Sequence, residues 1–198
     1  MTRNEEKRRK PEKSGNRKHG DGLRECSAEM EDIRCFEPVF DERSEILVLG
    51  SFPSVRSRAD GFYYAHPRNA FWIIIGQLFC PGERLDDVEG KKTVLLKNRI
   101  ALWDVCKTCE IRKSADSTIR KAVYNDIAGL IGKTIIRSIL FNGATAEKLF
   151  MKYIKDTGTG INLPFARLPS TSPANAIPSE AKLQAWKQAL THTEKGAE

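Results

Sequence analysis

Residues 45–54 read EILVLGSFPS, and they decide the fold. The run from Glu45 to Gly50 is short, apolar and closed by glycine, which predicts a buried strand. The next apolar block, NAFWIIIGQLF at residues 69–79, has helical length and opens on Asn69, a residue type that caps helices. Farther out, RIALWDV (99–105) reads as a second strand. ADSTIRKAVYNDIAGLI (115–131) reads as a helix, because apolar residues stand at 119, 123, 127, 130 and 131. TIIRSILFNG (134–143) is a third strand, ATAEKLFMKYI (144–154) a helix, LPFARLPS (163–170) a fourth strand, and SEAKLQAWKQAL (179–190) a closing amphipathic helix. Four strands separated by helices predict an α/β fold with a mainly parallel sheet covered on both faces.

Sheets of this kind bind ligands in the crevice outside the carboxyl ends of the strands. The segments that follow the predicted strands are GSFPS (50–54), WDVCKTCE (103–110), FNGATA (141–146) and LPSTSPANA (168–176). Each combines small residues or proline with hydroxyl, amide or carboxylate groups. Singly these are ordinary turn residues. Four such segments at one sheet edge define a candidate site, and GFYYAHPRNAFWIII (61–75) inserts five aromatic rings, His66 and Asn69 after the first of them.

The 198 residues are 40% hydrophobic and 30% charged, the composition of one globular domain with a tail. No apolar run approaches the roughly 18 residues of a membrane span, and residues 1–24 carry nine Lys/Arg, four Asp/Glu and no secretory h-region. The expectation is a protein of the cytoplasm or nucleoid, or of the nucleus in a eukaryote. Residues 1–40 are expected to be a disordered charged tail and 193–198 a flexible end. Charges in residues 1–43 cancel at eleven against eleven, so the net +7 belongs to the body, and a basic body favours a polyanion. Five cysteines, at 26, 35, 80, 106 and 109, are expected to be reduced. The single CxxC at 106–109 has no second pair, so free thiols are expected there rather than a metal.

Dinucleotide, P-loop and nucleophile-elbow motifs are absent. Of three histidines only His66 lies in the candidate loops, which argues against a histidine metal centre. Aromatics, amides and hydroxyls on a basic body suit a flat heterocycle, stacked on its faces and read at its edge.

ILVLGSFPS, GFYYAHPRNAFW, IALWDV with SADSTI beyond it, ILFNGATA and LPSTSPANA, in that order, resemble the uracil-DNA glycosylase superfamily, and within it the hypoxanthine-DNA glycosylase branch. The resemblance spans residues 45–190 and implies a three-layer α/β/α sandwich around a four-stranded sheet, with residues 41–192 as the domain. It further implies a monofunctional, monomeric enzyme without metal or organic cofactor. That enzyme flips a deaminated base from double-stranded DNA, hypoxanthine before uracil, and hydrolyses its N-glycosidic bond. A non-catalytic binder of damaged DNA or of nucleic acid on the same fold is the alternative, because mismatch-specific relatives hold the attacking water with an Asn where this chain has Phe52.

The resemblance assigns roles residue by residue. Asn69 is the candidate catalytic residue, an amide to orient the water, with helix capping alone as the alternative. Phe52, Tyr64, His66 and Asn142 are candidate base-binding residues, with the choice among Phe62, Tyr63 and Tyr64 as stacking platform left open. Gly50, Ser51 and Asp104 are read as site support, and Asp116 as a helix cap. Ser170, Thr171 and Ser172 are candidate phosphate donors, and Pro173, Ala174 and Asn175 the wedge that enters the space of the flipped base.

Overall fold

A computed structural model of the chain describes residues 35–111 and 119–191. Its centre is β1, Ile46–Gly50, in which all five residues are buried, followed in the chain by the short helix α1 (Val55–Asp60). On one side β1 pairs with β2 (Ile100–Asp104), on the other with β5 (Ser138–Asn142), which in turn pairs with β6 (Phe165–Leu168), all parallel in the order β2-β1-β5-β6. Alternate strand residues point to opposite faces. Leu47, Leu49, Ala101, Ile139 and Phe141 pack against α4 (Ile127–Ile131) and α5 (Ala144–Thr157). Ile46, Val48, Ile100, Leu102 and Leu140 pack on the other face against α2 (Phe71–Phe79), α3 (Val88–Lys97) and α6 (Ser179–Thr191). The result is the expected α/β fold, a three-layer α/β/α sandwich around a four-stranded parallel sheet.

Three local expectations are corrected. Residues 115–131 are not one helix: Ile119–Tyr124 is a strand, β4, antiparallel to β3 (Cys106–Ile111), and the helix α4 is confined to Ile127–Ile131. β3 leaves β2 after one residue and offers a ladder that a β-branched and aromatic stretch takes up, so tertiary pairing overrides the 3.6-residue spacing. Val123, assigned to the buried helix face, is 54% exposed. Asp116 lies outside the described residues. The second correction follows: residues 106–110 belong to this hairpin, so of the segment after β2 only Asp104 reaches the sheet-edge site. Third, α3 is a helix the apolar pattern had not revealed, started by Asp87, whose Oδ1 accepts from Gly90 N–H at 2.7 Å.

The folded body also begins before residue 41. Val39 bridges antiparallel to Leu102, while the carbonyl of Phe36 accepts from Trp103 Nε1 at 3.1 Å. Among the described residues no helix is long and apolar enough to cross a membrane.

Candidate active site

The parallel register brings the carboxyl ends of the strands into line, Gly50 beside Asp104 and Asn142 beside Leu168. The loops leaving them enclose a pocket of about 430 Å³. Its walls are residues 50–54 and Ser57 after β1, Tyr63, Tyr64, His66 and Asn69 ahead of α2, Asp104 and Asn142 at strand ends, and residues 170–174 after β6. Every predicted site residue lines it except Asn175.

Gly50 forms the floor, and any larger residue there would have to displace its neighbours. A Cβ at Gly50 would lie 2.2 Å from Asp104 Oδ1 and 2.8 Å from the Tyr64 hydroxyl, so these two side chains converge over the glycine backbone. Asp104 is 2% exposed, a carboxylate brought to the pocket floor by β2.

The aromatic segment separates into core and site. Phe62 stacks on Trp72 at 5.8 Å and is 7% exposed. Tyr63 borders the pocket but points its hydroxyl away, donating to the Glu37 carbonyl at 3.0 Å, and burial pushes its phenol far above the ordinary range. Tyr64 is half-buried and lines the pocket. Its backbone takes the left-handed conformation, φ 52°, which for a bulky residue is strained and aims the side chain where a regular turn would not. The ring is backed by Phe71 at 4.4 Å. Opposite in sequence, Phe52 lies under the Arg58 guanidinium at 5.6 Å.

His66 Nδ1 accepts from the Arg68 backbone N–H at 3.0 Å, which places the proton of the neutral ring on Nε2 and makes that nitrogen a donor. Asn69 lines the pocket, and its Oδ1 accepts from Phe71 N–H at 3.0 Å, serving the start of α2 although Ala70 occupies the cap position itself. Its Nδ2 takes part in no hydrogen bond among the described residues.

Asn142 and Thr171 lock two loops together. Asn142 Nδ2 donates to Thr171 Oγ1 at 2.8 Å, and its Oδ1 accepts from Thr171 N–H at 2.8 Å. One N–H and one lone pair of the amide remain for a ligand. The Thr171 carbonyl in turn accepts from Ala70 N–H at 3.0 Å, next to Asn69. Thr171 is wholly buried, so its place is the joint between loops, and the hydroxyls of this segment that solvent still reaches are those of the half-buried Ser170 and Ser172. Asn175 turns inward as well: its Nδ2 donates to Ser170 O at 2.8 Å and its Oδ1 accepts from Ile177 N–H at 3.3 Å. Pro173 and Ala174 are the exposed tip. Gly143, at φ 94°, allows the loops to meet, since a Cβ there would approach Ser170 Cβ to 2.8 Å.

Sequence reading missed the bracing of this loop by α6. Trp186 Nε1 donates to Pro169 O at 3.0 Å and Lys182 Nζ to Asn175 O at 2.9 Å. The available signal was a lysine in phase with Trp186 and Leu190 on the buried face of an amphipathic helix. No group of three metal-ligating side chains occurs among the described residues, and Cys35 and Cys80 are free thiols.

The fold and the pocket define an α/β protein with a pocket of ligand size at the carboxyl edge of its sheet. The chain belongs to the uracil DNA glycosylase superfamily, whose family profile matches residues 37–193. It is 37% identical over 164 residues to a hypoxanthine DNA glycosylase of Methanosarcina acetivorans, covering 80% of this chain and 98% of the relative. A hypoxanthine DNA glycosylase of Methanosarcina barkeri is 31% identical over 158 residues, covering 78% and 96%. The solution NMR structure of a protein assigned as a uracil DNA glycosylase from Methanosarcina acetivorans matches with a TM-score of 0.66 at 37% identity, covering 81% of this chain and 98% of that one.

Proposed function

We propose that this protein is a monofunctional DNA glycosylase that accepts a flipped deaminated base from a DNA duplex, hypoxanthine in preference to uracil, and hydrolyses its N-glycosidic bond. The observation that carries the reading is the convergence of Tyr64, His66, Asn69 and Asp104 on one pocket at the sheet edge. A flipped base stacks on Tyr64 and meets the edge of Phe52. Breaking the bond places positive charge on the sugar and negative charge on the departing base. The Nε2–H of His66 and the spare N–H of Asn142 are donors for that negative charge, and Asp104 at the floor is an anionic neighbour for the positive sugar. Asn69 orients a water toward the anomeric carbon. As the water oxygen bonds there, the glycosidic electron pair leaves with the base, one water proton is lost to solvent or the base, and an abasic site remains.

The names of the relatives favour hypoxanthine. A second reading, a non-catalytic binder of damaged DNA, is favoured by Phe52 alone, which stands where mismatch-specific relatives carry an Asn. Single-turnover assays with saturating enzyme on duplexes carrying hypoxanthine, uracil or xanthine separate these. The expected result is base release that is fastest for hypoxanthine. Binding without release supports the second reading, and robust uracil release with no hypoxanthine release overturns the substrate assignment.

A further inference from the structure

The buried face of α6 carries one residue that packing does not explain. Lys182, Trp186 and Leu190 are 5%, 0% and 4% exposed. A lysine stem commonly lies on apolar surface with its head in water, but Lys182 is buried as a whole. Its Nζ donates to the Asn175 carbonyl at 2.9 Å, and it forms no ion pair among the described residues. A cation withdrawn from water without a counter-charge is unfavourable unless an anion arrives.

The Asn175 carbonyl belongs to the loop whose residues 170–174 line the pocket. Through the peptide bond it is continuous with the N–H of Ala176, an exposed residue whose N–H is used by no hydrogen bond among the described residues. An ammonium on the carbonyl oxygen draws electron density from the peptide and strengthens that N–H as a donor. Ser170 and Ser172 add hydroxyls to the same loop. We propose that Lys182 is the buried counter-charge for one backbone phosphate of the DNA strand, held on the outside of this loop by the Ala176 N–H. The proposal rests on reading the pocket as a base pocket.

The test is fluorescence anisotropy of labelled duplexes, with and without hypoxanthine, across a potassium chloride series. Wild type is compared with Lys182→Met, Lys182→Gln and Lys182→Arg, alongside thermal melting. Removing the charge in Met or Gln should make the log-log salt dependence shallower by about one and weaken binding roughly tenfold at low salt, with Arg near wild type. The Met variant should melt no lower than wild type, since an uncompensated buried charge has been removed. Gln keeps a neutral donor for the Asn175 carbonyl. If it restores the wild-type slope and affinity, Lys182 is only a brace for the loop and the proposal fails. Should Met not fold, equal slopes for Gln and Arg overturn it. Base release by wild type with unchanged slopes removes the phosphate role alone. A lost slope without base release in wild type removes the glycosylase reading and leaves the phosphate contact.

Discussion

Asn69 serves the start of α2 through one lone pair of Oδ1 and still faces the pocket, so capping and chemistry are compatible in one amide. Sequence alone could offer the two roles but not combine them, because the combination depends on where α2 begins relative to β1. Asn69→Ala is expected to slow single-turnover base release at least about 100-fold, as misplaced reacting groups do. DNA affinity should stay nearly unchanged and stability should fall by about 1 kcal/mol, the usual value of a lost cap. Rapid-quench kinetics and a thermal melt measure the two effects; a near-normal rate would return Asn69 to capping alone. Tyr64 carries a related lesson. Three consecutive rings are indistinguishable in sequence, and a left-handed backbone at one of them decides which ring turns to the pocket.

At the scale of elements the site depends on a joint. Thr171 links the end of β5, through Asn142, to the entrance of α2, through Ala70. The loop that carries Thr171 is therefore in direct hydrogen-bonded continuity with the peptide next to Asn69. Thr171→Val keeps the shape, removes the hydroxyl and leaves the half-buried Asn142 amide donor short of a partner, a loss of about 1 kcal/mol. Chemical denaturation should register that loss, and base release should slow by a similar factor for every base offered. Asn142→Ala, in contrast, should slow release by a factor that differs between hypoxanthine and uracil. Equal factors for the two bases would restrict Asn142 to joining the loops. β3 and β4 mark the limit of pattern reading at this scale: a helical spacing gave way to a strand because a partner strand was present.

For the whole molecule, the charge distribution and the edge of the folded body set the expectation for truncation. The net +7 lies in residues 44–198, so the body itself is suited to DNA and the basic head adds salt-sensitive affinity at most. A chain beginning near Cys35 should retain single-turnover base release. One beginning at Asp41 should melt lower, because it lacks Val39, which pairs with Leu102, and the carbonyls of Phe36 and Glu37, which accept from Trp103 and Tyr63. Melting curves of the two truncations beside the full chain measure the difference, and equal stabilities would show that residues 35–40 add nothing to the body.

The sequence by itself determined the order of the sheet-forming segments, the parallel α/β architecture and the residues that meet at its edge. Apolar runs of strand length alternate with amphipathic helices, and chain connectivity leaves the loops after the strands on one side. Legible too were Gly50, Asn69 and Asn142 as residues with a task, since small or amide groups at strand ends permit close approach and hydrogen bonding. Only the tertiary structure decided which ring faces the pocket, that Thr171 and Asn175 turn inward, and that Lys182 lies beneath the loop. Those outcomes depend on backbone dihedrals at single residues and on side-chain hydrogen bonds that tie loop to helix and loop to strand, Asn142 to Thr171 among them, which apolar spacing does not encode.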